Sequence, residues 1–463
     1  MKRGLFVAPL VWLGALAGCS VPREAEFSDV ARTIEERTGH RIFWNQGGSA
    51  DAAVRARVDE MLRGPLSAGQ AVQIALLDNR GIQATYEDLK LAQADVVQAG
   101  LLKNPVFTAS VRFPTSGSSR APAYDLGVEQ DFLDLLLIPA RKRVARAMFD
   151  AAKLRVGGEV LALAHDTRVA YVSLQAAQQV SALRKTIVEA AEASVELSRR
   201  QHEAGNISDL DRSVEEASYR QLELEVMRGE GEVLAARERL TRLMGLFGAQ
   251  ASFTIKKELA ELPPDEPPLE HLETLAVERR LDLDAARKDL AAVAEALAMA
   301  KNFRFLGGAS VGAQVEHDAE GRTNVGPAAS LEVPIFDQKQ ATIAKVVAQY
   351  RKAELRVGEL AVEARSEVRE TRGRLLLARA IAERYRAHLI PLRERIVALA
   401  QSHHDAMLLG IYQLLQLKQA EATVYREYIE AVRDYWIARA DLERAVGGAL
   451  PSVDAPPKEK TTP

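Results

Sequence analysis

Two carboxylates and a pair of histidines are the residues of this chain whose types and spacing could do chemistry. Asp209 and Asp211 follow the turn Ala204-Gly205-Asn206. Brought together in several copies, carboxylates there could form a ring that favours cations and repels anions. The same residues could also open a helix, whose dipole acids complement, and the residue types favour this plainer role. Arg199 and Arg200 read in the same way, as solvated helix charges rather than gate locks. His403-His404 precedes a second turn near Gly410, with Met407 close by. Adjacent histidines point to different sides of a helix and make poor joint ligands. Cys19 is the one cysteine, so an intrachain disulfide is excluded and no multi-cysteine metal site can form. No phosphate-binding loop, nucleophile elbow or zinc-protease motif is expected. The expectation is no enzymatic centre, no cofactor and no specific metal site.

Cys19 has a different chemistry open to it. Lys2 and Arg3 form a positive start, Leu5 to Leu16 an apolar stretch, and Leu16-Ala17-Gly18-Cys19 follows with Ser20 behind it. The apolar stretch is too short to span a bilayer, which takes about 20 residues, so residues 1–18 read as a cleaved signal peptide. The four residues resemble the bacterial lipobox. That resemblance implies that Cys19 is acylated and becomes the mature N-terminus, and several acyl chains on one residue anchor stably. Serine after the cysteine goes with the outer membrane, aspartate with retention at the inner one.

The elements that would position these groups are mostly helical. Four short strands interrupt the helices as two hairpins, Val106–Phe113 with Tyr124–Phe132, and Ala309–Glu316 with Val325–Ile335. In the second hairpin Ala309, Val311, Ala313 and Val315 alternate with Ser310, Gly312, Gln314 and Glu316, as a strand between lipid and water requires. Pro327 sits uneasily in a paired strand. The smallest membrane barrels need about eight strands, so four strands must share a barrel with other copies or serve another purpose.

The order of elements repeats. Residues 19–65 form a leader containing Arg41-Ile42-Phe43-Trp44. Residues 66–247 form a first repeat: a helix Ala71–Leu102 opened by a capping box at Ser67-Ala68-Gly69-Gln70, the hairpin at 106–132, then a long helical hairpin. Residues 248–270 are a Pro-rich linker. Residues 271–448 form a second repeat, with helix Leu272–Lys301, the hairpin at 309–335 and another long helical hairpin. Residues 449–463 read as a disordered tail. Asn79, Ile82, Ala84 and Leu89 match Arg280, Leu283, Ala285 and Leu290 at one offset, Phe132 matches Phe336, and Gly205 matches Gly410. These matches indicate internal duplication. From Arg141 to His202 the pattern is helical without proline, and about 60 residues at 1.5 Å each span about 90 Å. Spacings of three and four indicate coiled-coil packing. Pro391 should kink the second outgoing helix.

Composition narrows the classes further. A net charge of −3 with 27% charged residues carries no polyanion-binding signal and argues against nucleic acid. No apolar run after Leu16 approaches the length of a spanning helix.

At this point the chain resembles the TolC family of outer membrane efflux proteins, of the lipoprotein type. The resemblance rests on the lipobox, Ala75–Ala84 with Ala276–Ala285, Gly100-Leu101-Leu102-Lys103-Asn104-Pro105, Val333-Pro334-Ile335-Phe336-Asp337, and the turns at Gly205-Asn206 and Gly410-Ile411. It implies a mainly α fold with a small transmembrane β part: a homotrimer whose protomers each give four strands to a 12-stranded β-barrel, continued by a long periplasmic α-helical barrel. Phe132, Pro334 and Phe336 would mark the strand-to-helix junctions, and the two turns the periplasmic tips. The implied role is a passive conduit that works with a periplasmic adaptor protein and an inner-membrane efflux pump, within outer membrane lipids. Gly100–Pro105 and the leader around Trp44 look most like the branch serving heavy-metal cation pumps of the resistance-nodulation-division class. Drug or solvent efflux and type I secretion channels remain open beside it. So do two readings from other classes, a periplasmic adaptor and a structural coiled-coil lipoprotein.

Overall fold

The computed structural model describes residues 26–113, 115, 121–266 and 268–451. The expected signal peptide, the expected lipobox at Leu16, Ala17, Gly18 and Cys19, most of the first hairpin loop and the tail beyond Pro451 lie outside them. The leader folds as two short helices, α1 (Phe27–Thr38) and α2 (Ser49–Met61). The first half continues with α3 (Ala68–Asp78), α4 (Arg80–Ala99), β1 (Val106–Arg112), β2 (Ala123–Asp131), α5 (Leu133–Glu203) and α6 (Asp209–Met244). The second half repeats the order as α7 (Leu272–Arg279), α8 (Leu281–Asn302), β3 (Ala309–His317), β4 (Thr323–Leu331), α9 (Gln340–Arg384), α10 (Ile390–Asp405) and α11 (Ile411–Val446).

Two compact units take segments from both halves. One comprises residues 26–28 with Glu87–Val156 and Asp282–Leu360; the other comprises Asp29–Tyr86, Gly157–Leu281 and the chain from Ala361 onward. The first unit holds one antiparallel sheet in the order β1-β2-β3-β4, so the two hairpins lie side by side. β4 stops at Leu331, short of the expected Ile335. Glu332 still donates its N–H to the Gly308 carbonyl at 2.7 Å and accepts from the Gly308 N–H at 3.0 Å, and Pro334 then forbids further pairing. Pro327 keeps its place in the ladder opposite Ala313 although it has no N–H to donate.

The second unit buries its apolar residues in clusters that mirror the sequence repeat. Leu66, Ile74, Tyr171, Leu174, Leu240, Met244 and Ile255 pack together from α3, α5, α6 and the adjoining segments. Leu272, Val368, Leu375, Tyr435, Leu442 and Val446 do so from α7, α9 and α11. Each such side chain contributes roughly 1.5–3 kcal/mol on burial. Leu66 also pairs with Ile255 as an isolated parallel bridge, and the Tyr171 hydroxyl donates to the Leu66 carbonyl at 2.7 Å.

The long helix expected over Ala71–Leu102 is two helices. It breaks at Asn79, whose backbone is extended (φ −63°, ψ 117°), and its counterpart breaks at Arg280 (φ −65°, ψ 124°). Asn79 uses its side chain to mend the break. Oδ1 accepts from the Ile82 N–H at 3.0 Å and Nδ2 donates to the Leu243 carbonyl at 2.8 Å.

The outgoing helices differ between the halves. α5 runs unbroken for 71 residues, about 105 Å at 1.5 Å per residue. It begins at Leu133 rather than Arg141 and contains Pro139. The second outgoing helix is interrupted by a π-turn at Tyr385–Leu389, ahead of the expected disturbance at Pro391. Proline has no N–H and clashes with the carbonyl four residues back, and a widened π-turn relieves that clash.

Candidate functional site

The sheet has two faces of opposite character. Strand register aligns Ser110, Asp125, Glu316 and Asn324 in one row across the four strands, and Thr108, Gly127, Gln314 and Gly326 in the next row on that face. Residues directly opposite share a face and alternate along a strand. The other face therefore carries the rows Ala109, Leu126, Val315, Val325 and Phe107, Val128, Ala313, Pro327. Val325 is 73% exposed and Phe107 is exposed to a similar degree. The polar face is cross-linked: Arg112 pairs with Asp125 at 2.8 Å and Glu316 at 3.5 Å, and the Ser310 hydroxyl donates to Glu129 at 3.0 Å. Gly308-Ala309-Ser310-Val311-Gly312 spells the G-x-S-x-G pattern, against the expectation of no nucleophile elbow in the sequence. Ser310 is the second residue of β3, bonded to Glu129 and Ser330, without the strand-to-helix turn such a nucleophile needs.

The junction residues stand where strands give way to helices. Phe132 donates its N–H to the Ala309 carbonyl at 3.1 Å, and Asp131 Oδ1 caps the N–H groups of Leu133 and Asp134, which start α5. Asp134 is 3% exposed and receives both Arg141 guanidinium nitrogens at 2.9 and 3.0 Å. At the second junction Pro334 follows the end of β4, and Phe336 is 92% exposed.

The turns between long helices are built alike from different residues. At the first, Gly205 takes a left-handed conformation (φ +74°), and the Asn206 N–H closes back on the Gln201 carbonyl at 2.8 Å. At the second, that conformation belongs to Met407 (φ +58°), and the Leu408 N–H closes on His403 at 2.8 Å. Gly410 is not the counterpart of Gly205: it is the extended residue before α11, which starts at Ile411. His404 Nδ1 meets the Leu409 carbonyl at 2.9 Å, so the histidine pair helps build the turn. Among the described residues, no group of three His, Cys, Asp or Glu side chains could hold a metal ion.

Asp211 completes a capping box with Ser208 at the start of α6, and these hydrogen bonds hold its carboxyl below the usual range. Asp209 meets His202 Nε2 at 2.9 Å across the turn. Arg199 and Arg200 bind Glu196. Tyr412, near the start of α11, donates to Gln201 Oε1 at 2.8 Å near the end of α5.

Comparison with known proteins adds to this geometry. No curated protein sequence matches the chain. Residues 71–246 match the family model for the outer membrane efflux protein. A membrane protein from Pseudomonas aeruginosa is similar in structure, with a TM-score of 0.68 at 21% identity over 82% of this chain and 93% of that one. The Campylobacter jejuni CmeC outer membrane channel gives 0.69 at 15% identity, over 84% and 87%. The outer membrane protein VceC of Vibrio cholerae gives 0.66 at 16% identity, over 86% and 96%. Long helices joined to a small four-stranded sheet are the fold that this chain shares with these structures. The match to the outer membrane efflux protein model covers residues 71–246, the first half's α3 to α6, and the likeness to the solved structures extends the shared fold over more than four-fifths of the chain.

Proposed function

We propose that three copies of this chain close a 12-stranded barrel in the outer membrane and continue it into the periplasm as a helical tunnel. The observation that carries this reading is the sheet itself. It has an exposed apolar face, a hydrogen-bonded polar face, and edge strands β1 and β4 with one neighbour each. In lipid an unpaired strand edge costs several kcal/mol per backbone group, so the edges must meet those of other copies. The matched helix breaks at Asn79 and Arg280 support an internal duplication, and residues 66–247 and 271–448 are its two repeats.

In this reading the protein is a passive efflux conduit. An inner-membrane pump supplies the energy and a periplasmic adaptor joins the two at the turns Gly205-Asn206 and Met407-Leu408. Cys19 is acylated and adds a lipid anchor. The resemblance of Gly100–Pro105 and of the leader around Trp44 supports heavy-metal cations as the cargo.

Native mass spectrometry of the detergent-extracted, full-length protein tests the assembly. A mass of three acylated protomers is expected, with conductance in planar bilayers, and a monomer stable without detergent would overturn the reading. Metal and dye tolerance of cells co-expressing the cognate pump and adaptor tests the cargo, with metal tolerance expected to be the one that falls when the channel is deleted.

A further inference from the structure

Residues 254–260 cross from α5 to α11 and are fastened to both. Gln175 of α5 donates from Nε2 to the carbonyls of Lys256 and Glu258 at 2.8 and 2.9 Å, and Gln179 donates to that of Lys257 at 3.0 Å. Trp436 of α11 donates its indole N–H to the Ala260 carbonyl at 2.8 Å. The two helices are themselves joined by Arg168 with Glu443 and by His165 with Asp441, the latter at 2.8 Å. A cavity of about 1080 Å³ lies along the crossing segment, and all its walls belong to the second unit. Val172 and Ala440 are buried in its walls, too small to fill it, and Ile255 and Trp436 line it with them. A space of this size takes a drug-sized molecule, and such sites set a few polar groups among apolar walls.

The charged groups here are mainly cationic. Arg168, Lys256, Lys257 and Arg439 line the cavity against Glu258 and Glu443, four positive charges to two negative. Glu443 is already taken by Arg168. Arg439 has donors to spare. Its neighbouring carboxylates, Glu266 and Glu443, both stand at 3.7 Å, beyond hydrogen-bond reach. Among the described residues its one hydrogen bond runs from Nη1 to the Tyr435 hydroxyl at 3.2 Å. A guanidinium carries five N–H donors in a planar fork that matches a carboxylate. The Arg439 guanidinium also lies over the Trp436 ring, 5.7 Å from its centroid, so cation and aromatic wall adjoin. A ligand that uses both must join an apolar body to a negative head.

We propose that this cavity binds a small amphiphilic carboxylate, its apolar body between Val172, Ile255 and Trp436 and its carboxylate on the Arg439 guanidinium. Lys256 and Lys257, both exposed, extend the positive field on the solvent side and favour the entry of anions. A neutral molecule with the same body fills the space without the head contact, and a cationic one meets the excess of positive charge. The site goes beyond the conduit reading and does not depend on it.

Equilibrium dialysis of the full-length, detergent-extracted protein tests the site, with protein-free micelles as the blank. The probes are naphthoate, naphthylmethanol and naphthylmethylamine, which share a ring system and differ in the head. Naphthoate is expected to bind about ten-fold or more tightly than the amine. Arg439→Gln should weaken naphthoate by about the same factor and leave naphthylmethanol unchanged, which also shows that the cavity survives the substitution. Ala440→Leu fills the wall and should abolish binding of both. Naphthoate binding to the parent that is absent, or no tighter than that of the amine, overturns the proposal, whether or not Arg439→Gln is stable. So does an Arg439→Gln protein that binds naphthoate as its parent does, or an Ala440→Leu protein whose affinities are unchanged.

Discussion

Gly245 rests directly on the backbone of Asn79: a Cβ at position 245 would stand 2.9 Å from the Asn79 Cα and 2.8 Å from the Asp78 carbonyl oxygen. Gly447 holds the same relation to Arg280, with the corresponding Cα at 3.3 Å. Both glycines are left-handed caps, of α6 and α11. The helix break and the glycine that closes on it are one device, used twice. In the second copy Arg37 replaces the bridging amide of Asn79, donating to the carbonyls of Arg279 and Gly447.

This relation predicts the cost of removing either glycine. Gly245→Ala combines a left-handed backbone with a clash against main chain that cannot swing away, and should destabilise by about 2–3 kcal/mol. Gly447→Ala meets looser contacts and should cost about 1–2 kcal/mol. Thermal unfolding of the detergent-solubilised protein should place the two variants in that order.

Asp134 is buried under the Arg141 fork. Asp134→Ala removes both acceptors of a guanidinium that is 29% exposed and stays partly hydrated, and should cost about 1–2 kcal/mol. Melting temperature reads the loss, and Asp134→Asn, which keeps the volume and one acceptor oxygen, should recover part of it.

The two sheet faces predict opposite tolerance of a charge. Val311→Arg places a cation on the apolar face and should cost about 2–4 kcal/mol if that face meets lipid, whereas Gln314→Arg on the polar face should fold nearly unchanged. Refolding yields in vesicles distinguish them. Equal yields would contradict a lipid-facing assignment for the Val311 side.

The grip of Arg146, at 2.7 and 2.8 Å, and of Lys153, at 2.8 Å, on Glu26 has a defined pH signature. Its carboxyl drops from an ordinary 4.5 to about 2 in the folded chain. The stabilisation is therefore complete above about pH 4.5 and disappears as pH falls through 2. The difference in melting temperature between the parent and Glu26→Gln should be constant from pH 5 to 8 and shrink steadily below 4.5. A difference that instead grows on acidification would rule out the ionised grip.

Tyr412→Phe removes one hydrogen bond, to Gln201, and leaves the ring in place. About 1 kcal/mol of stability is the expected loss. Thermal unfolding should show a correspondingly small drop in melting temperature, with no change for a Gln201→Glu variant that keeps the acceptor oxygen.

The strands and the long helices were legible because each follows from a period: alternation along residues 309–316, and three-four spacing through α5. Phe132 directly follows β2, as its place after the alternating residues suggests, whereas Phe336 lies five residues beyond the end of β4 because Pro334 stops the strand early. The breaks at Asn79 and Arg280 were not legible. Neither residue is a helix breaker, and the cause lies in Gly245 and Gly447, more than 160 positions away in the chain. The second turn was misassigned for the opposite reason. Gly410 has the composition of a left-handed residue, yet Met407 carries that conformation because the turn closes on His403 and His404. The grip on Glu26 was missed as well, since a single glutamate ahead of a helix has no local signal.

The π-turn at Tyr385–Leu389 places a phase shift inside a helix that reads as continuous. Before it, exposed Leu355, Val362 and Leu376 fall on one seven-residue repeat; after it, exposed Leu392 and Leu399 fall on another, two positions out of step. A neighbouring helix that follows the first stripe cannot follow the second without changing its own register. Whatever packs along this stretch must therefore hand over from one partner, or one side of a partner, to another at the level of Tyr385, and α5, with no such interruption, imposes no matching handover on its own neighbours.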